Sequence, residues 1–260
     1  MPLTYAKYLK IDELLRLQHP ASEPEEHDEM LFIVIHQTYE LWFRQILHEF
    51  DALASHLEEG RTWRSVKTMR RVLTILKTLV SQVDILETMT PLEFQGFRGA
   101  LQKASGFQSA QFRELEILCG NHSEHALRAF EQDPAVLAAL RRRTQGPTLW
   151  EGYRAYLQAR GHNIPKGVRA QGASGVHAPC EAMQTALSVI LREDPEAALL
   201  AELFVDFDEG MQEWRYRHLK MVERTIGTKP GTGGSAGADY LRSTLHRPVF
   251  PDLWHVRSLF

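Results

Sequence analysis

"PEAALLAELFVDFDEGMQEWRYRHLKMVERTI", residues 195–226, decides the fold. Apolar side chains recur along it at three- and four-residue steps, the period of an α-helix and not of a strand. In its second half Met211, Trp214, His218, Met221, Val222 and Thr225 form one stripe with His218 at its centre. Arg215, Arg217, Lys220 and Arg224 lie mostly elsewhere. A histidine on such a stripe is buried, and its ring nitrogens need partners. The run then enters "GTKPGTGGSAG", residues 227–237, where glycines let backbone approach a ligand closely and loop amides can cradle an anion. Two readings are open. Either His218 is a core residue bonded to a carbonyl and the loop is a linker, or both face something that is not protein. Imidazole on an apolar helix face is how a proximal haem ligand is presented.

The rest of the chain reads the same way. A short amphipathic segment lies at 4–18, followed by an acidic linker ending near a possible cap at Asp28. Helices are expected at about 30–57 and 62–86. In "TPLEF", Thr90, Pro91 and Glu93 make a capping-box start for a third. Ser105 caps a helix near 108–118. Smaller helices follow at 122–131, 134–143, 148–160 and 180–192, with a loop over 161–176 and a last helix near 238–246. Period-two alternation is missing, so the expected fold class is all-α, a single-domain helical bundle over residues 1–260.

Composition narrows the function. The net charge is −3 with no basic block, which argues against nucleic acid. No apolar run approaches the ~20 residues of a membrane span. The start is too charged for a signal peptide. Two isolated cysteines, Cys119 and Cys180, give neither a disulfide framework nor a metal motif and suit a reducing cytosol, so a cytoplasmic protein is expected. Twelve histidines are an excess that hints at chemistry.

Three other features stand out. In "MLFIVIHQTYELWF", residues 30–43, His36 shares a face with Phe32, Tyr39 and Phe43, and Glu40 one turn on is either its partner or a solvated carboxylate. In "TPLEFQGFRGAL", residues 90–101, Arg98 lies between Phe94 and Leu101; it either snorkels to solvent or holds an anion, for which its fork suits a carboxylate. Thr232 offers a hydroxyl in the glycine loop. Other motifs fail. "GGSAG" around Ser235 follows a helix, not the strand that a nucleophile elbow requires. His122 and His125 share a helix face without a third ligand. No Glu-x-x-His and no Cys-x-x-Cys-His occurs. One arrangement open to a helical bundle has His218 and His36 facing each other over a flat cofactor, with Arg98 and Thr232 holding a substrate carboxylate.

The motifs "DEMLFIVIHQTYELWF" (28–43), "MTPLEFQGFRGAL" (89–101), "SGFQSAQFRELE" (105–116), "WRYRHLKMVERTIG" (214–227) and "GTGGSAG" (231–237) together resemble the tryptophan 2,3-dioxygenase family. The resemblance spans about residues 5–241 and is thin over 119–180. It implies a haem b enzyme that uses O2 to cleave the indole C2–C3 bond of L-tryptophan, giving N-formyl-L-kynurenine, the first step of tryptophan catabolism by the kynurenine pathway. It makes His218 the axial iron ligand, with Ser105, Gly106 and Trp214 beside the haem. His36 becomes the catalytic distal histidine that accepts the indole N–H. Phe32, Ile33, Val34, Ile35, Phe94, Leu101, Arg98 and Thr232 become substrate-binding residues, Arg98 taking the carboxylate. It further implies a homotetramer in which the segment 1–20 docks on a neighbour and donates Tyr5, Tyr8 and Leu9 to its pocket. Many bacterial members carry a tyrosine where this chain has Phe94.

Overall fold

A computed structural model describes residues 2–121, 123–166, 177–232 and 237–260. His122 and Ser235 lie outside the described residues. In chain order the helices are α1 (Tyr5–Leu9), α2 (Ile11–Leu14), α3 (His27–Glu58), α4 (Thr62–Leu86), α5 (Pro91–Arg98), a 3₁₀ turn (Gly106–Gln108), α6 (Ala110–Leu118), α7 (Glu124–Arg128), α8 (Pro134–Gln145), α9 (Leu149–Ala159), α10 (Glu181–Glu193), α11 (Pro195–Ile226), α12 (Ala238–Thr244), α13 (Pro251–His255) and a 3₁₀ turn (Val256–Leu259). Among the described residues there is no strand, and the fold is all-α.

Three long helices, α3, α4 and α11, make the frame. Each buries one stripe into a common core: Phe50, Leu53 and Leu57 from α3, Met69 and Val72 from α4, Leu200 and Phe204 from α11. At Gly210 α11 packs tightly on α4, where an added Cβ would sit 2.7 Å from Leu76 Cδ2. α9 covers α3 with Tyr153 and Tyr156, and α10 covers α11 with Leu187.

Local signals explain most boundaries. Thr90 caps α5 in a reciprocal capping box with Glu93, behind Pro91 at the first turn. Asp194 caps α11 by accepting from the N–H groups of Glu196 and Ala197, again with proline next. Two expectations are corrected. Asp28 is no cap: α3 begins a residue earlier, and it is Glu29, buried, that reaches back to the N–H groups of Ala21 (2.8 Å) and Ser22 (3.0 Å). Ser105 caps only the 3₁₀ turn, and Ser109 caps α6.

The helix at 251–255 was not expected at all, and two buried carboxylates hold it in place. Asp208 on α11, 0% exposed, accepts from the N–H groups of Val249 (2.8 Å) and Phe250 (2.9 Å) and from Trp254 Nε1 (2.9 Å). Asp252, also 0% exposed, accepts from His177 Nε2 (2.7 Å), Cys180 N–H (2.7 Å) and Gln184 Nε2 (2.9 Å), tying α13 to the start of α10. Burial alone would raise the Asp252 carboxyl, but these three donors outweigh it and hold the group below its ordinary range. The folded state therefore binds this proton less readily than the unfolded chain. The stabilisation is whole above the unfolded value of about 3.9 and is lost as pH falls through the folded one. Urea unfolding of the wild type should weaken more steeply below about pH 4 than that of Asp252→Asn; parallel pH curves would contradict this.

α1 and α2 are separate pieces, broken at Lys10 in a left-handed conformation (φ 55°). They bury nothing: Tyr5 is 77% and Tyr8 70% exposed. Gln18 and Gln37 bond to each other at 2.6 Å and anchor the segment on α3. No helix of the described residues is long and apolar enough to cross a membrane.

Candidate active site

Residues of α3 and α11 line a cavity of about 270 Å³. α5, the 106–108 turn, α6, residues 231–232 and α12 close it. Its walls include Phe32, Phe43, Leu86, Phe94, Phe112, Trp214 and Met221, so the interior is largely apolar.

His36 enters from α3. Its ring lies 4.1 Å from that of Phe32, one turn back. Nδ1 is 2.7 Å from the Phe32 carbonyl oxygen, which can only accept, so Nδ1 carries the proton and Nε2 keeps a free lone pair. Burial lowers the His36 pKa against the opposing pull of the Phe32 carbonyl and Glu40, which keeps the ring neutral. Glu40 is not its hydrogen-bond partner; it accepts from Gln111 Nε2 at 2.8 Å.

His218 enters from α11 opposite. Burial first, then the neighbouring His36, push its pKa down to about 4, so this imidazole is neutral too. The two rings are thus close enough for charge on one to disfavour charge on the other. No described residue hydrogen-bonds either ring nitrogen of His218, so it is not a core histidine bonded to a described carbonyl.

At the cavity rim Arg98 Nη2 donates to the Pro230 carbonyl at 2.7 Å, and Thr232 Oγ1 donates to the Ala104 carbonyl at 2.6 Å. These two bonds pin the glycine loop to α5 and the turn after it. Gly227 and Gly237 bracket the loop, each with φ 61°. A Cβ on Gly237 would lie 2.8 Å from the Lys229 carbonyl oxygen, so both conformation and space demand glycine. Gly237→Ala should cost about 1–3 kcal/mol of local stability. Protease nicking of the 228–237 loop, faster in the variant at equal global stability, would register this; unchanged nicking would refute it.

Phe32, His36, Phe94, Arg98, Ser105, Gly106, Trp214, His218 and Thr232 all line this one cavity. Ile33, Val34 and Ile35 do not. Helical rotation carries Val34 to the surface (42% exposed) and Ile35 into the packing around Phe97, away from the cavity. Leu101 also packs in that cluster and not on the cavity wall. Tyr5, Tyr8 and Leu9 are exposed and far from lining it within this chain. His125 stands at its edge only through Phe107, their rings 6.4 Å apart.

Sequence reading missed a polar floor. Arg113 and Arg215, each 6% exposed, flank Glu116. Arg113 Nη1 pairs closely with Glu116 Oε2, and Arg215 Nη2 lies 3.9 Å from Glu116 Oε1. Arg215 also donates weakly to the carbonyls of Thr244 (3.4 Å) and Arg247 (3.5 Å). It is therefore not on a solvent face, because α12 and the chain after it cover that side of α11. Burial pushes the Glu116 carboxyl upward against the two guanidiniums. Arg113 stacks over the Phe107 ring at 4.7 Å, and its Nε is buried without a partner. Arginine and glutamate three apart on α6 were the available signal.

The chain matches the family profile described as Tryptophan 2,3-dioxygenase over residues 1–149 and 150–260. The chain belongs to the tryptophan 2,3-dioxygenase family. A tryptophan 2,3-dioxygenase of Herpetosiphon aurantiacus is 54% identical over 98% of both chains. One from Anaeromyxobacter sp. (strain K) is 54% identical over 98% of this chain and 96% of its own. One from Xanthomonas campestris pv. campestris (strain B100) is 40% identical over 98% of this chain and 87% of its own. The tryptophan 2,3-dioxygenase match thus runs through residues 119–180 as well, where single motifs carried little of it.

Proposed function

We propose that this chain is a haem-dependent tryptophan 2,3-dioxygenase, adding both atoms of O2 across the indole C2–C3 bond of L-tryptophan to yield N-formyl-L-kynurenine. The observation that carries the reading is the pair of neutral imidazoles, His36 and His218, on opposite walls of one apolar cavity with a guanidinium and a hydroxyl at its rim.

The residues present fit a haem b. Among the described residues no partner takes either ring nitrogen of His218, which leaves one available to iron. The floor has two buried guanidiniums, Arg113 and Arg215, against the one carboxylate of Glu116, which leaves it net positive. Such a floor suits the two carboxylates of the porphyrin edge. When bound, haem iron supplies the redox centre that activates dioxygen, which amino-acid side chains cannot do.

The chain's own groups handle the amino acid. His36 Nε2, with its lone pair free, accepts the indole N–H and so fixes the plane of the ring. Arg98 spends one donor on Pro230 and keeps others of its fork for the substrate carboxylate. Thr232 spends its proton on Ala104, leaving lone pairs to accept from the substrate ammonium. Phe32 and Phe94 wall the indole and exclude water. Holding both ends of tryptophan is catalysis by positioning.

The exposed tyrosines of α1 support a second part of the reading, in which residues 1–20 seat Tyr5, Tyr8 and Leu9 at a neighbouring pocket in a cytoplasmic homotetramer. The whole chain acts as one domain in this account. Mass measurement of product made by the reduced protein under ¹⁸O2 tests the reaction. Formylkynurenine carrying both labelled atoms supports it. One labelled atom indicates a monooxygenase, and unconsumed tryptophan a haem sensor.

Phe94 gives a finer test. Phe94→Tyr places a hydroxyl at the rim and should lower KM for tryptophan about fivefold, the worth of one hydrogen bond at about 1 kcal/mol. A raised KM would show that position 94 does not face the carboxylate.

A further inference from the structure

We infer that Trp214 is the positioning residue for the iron-binding imidazole, holding the His218 ring by stacking and not by a hydrogen bond. The inference rests on the haem reading above. Trp214 and His218 are one turn apart on α11, which places their side chains on the same face. Their rings are nearly parallel, 13° between planes and 5.1 Å between centroids.

The indole is itself braced from behind. Phe112 on α6 packs against it at 5.1 Å, and Tyr39 on α3 meets it edge-on at 6.4 Å. Tyr39 is fixed in turn, its hydroxyl donating to the Leu79 carbonyl on α4 at 2.7 Å. Four helices therefore set the plane of one ring, and that ring sets the plane of the next.

Metal-binding histidines usually orient themselves by donating their second N–H to a carbonyl or carboxylate. His36 has such a carbonyl at Phe32. His218 has none among the described residues. The freedom that leaves is rotation of the imidazole about its own bond, and the flat neighbour is what opposes it. Trp214 Nε1 makes no hydrogen bond to His218 among the described residues and has the Tyr39 hydroxyl as its polar neighbour, so toward the imidazole the residue serves as a plate and not as a donor.

Three variants of the haem-loaded protein test this: Trp214→Phe keeps a flat face without the N–H, Trp214→Met fills the volume without a flat face, and Phe112→Leu removes a brace. The readouts are the iron–imidazole stretching band of the ferrous protein and the rate of haem transfer to apomyoglobin. Trp214→Met should broaden and shift the band and speed haem loss on the order of tenfold to a hundredfold, the usual effect of freeing a ligand from its orienting partner. Trp214→Phe should keep the wild-type band, and Phe112→Leu should shift it in the same sense as Trp214→Met but less. A Met variant with the wild-type band and haem-loss rate overturns the inference, as does a Phe variant as perturbed as the Met one. A wild type that takes up no haem fails at the earlier step, and the absence of any band in every variant tells the two failures apart.

Discussion

His218→Ala should leave the chain folded and unable to hold haem. The imidazole faces a cavity and spends no ring nitrogen on described protein, so its removal breaks no internal hydrogen bond. Burial of an uncharged aromatic ring is lost, a cost that the α3–α4–α11 core absorbs. On the proposed assignment, however, the iron loses its protein ligand. Haem affinity should fall by at least about a hundredfold, since loosening a ligand's orientation alone reaches that range. Titration of the haem-free chain with haemin, followed at the Soret band, checks this. Added imidazole should restore part of the spectrum, because the space beside Trp214 that the ring vacates is of its size and shape. A variant that binds haem as the wild type does would remove His218 from the iron.

Arg98→Ala should raise KM for tryptophan far more than it changes kcat. Truncating one partner of a hydrogen-bonded charge pair costs about 2–5 kcal/mol, which is roughly thirtyfold to several-thousandfold in affinity. Part of the loss comes from the loop, because Arg98 also donates to Pro230 and helps seat Thr232. Tryptamine separates the two contributions. It has no carboxylate, so wild type and variant should handle it alike if pairing is the main effect. Arg98→Lys should recover less than half of the loss in free energy, since a point charge lacks the fork. Equal KM values for tryptophan in wild type and Arg98→Ala would refute the assignment.

How much of this was legible in the sequence depends on range. α11, α4 and the α5 start were readable because their signals are local: an unbroken 3.6-residue period, proline at the first turn, a cap with its reciprocal glutamate. His36 and His218 were conspicuous because a lone imidazole interrupts an apolar stripe. The floor was not conspicuous. Arg113, Glu116 and Arg215 look like ordinary surface charges on their own helices, and only α12 folding back over α11 buries Arg215. α13 escaped notice for the same reason. Five residues carry no period, and a bond that holds them runs from Trp254 to Asp208, 46 residues earlier on another helix. Ile33, Val34 and Ile35, which the resemblance adds beside His36, do not line the cavity within this chain, because a helix turns only one residue in three or four toward any one cavity.

The central claim, that a haem lies between His36 and His218, is tested most directly by the absorption spectrum of the chain reconstituted with haemin, titrated to its end point. The account predicts one haem bound per chain, with a Soret band that shifts when L-tryptophan is added and does not shift in Arg98→Ala at the same tryptophan concentration. A chain that takes up no haemin, or whose bound haem is blind to tryptophan, would contradict it.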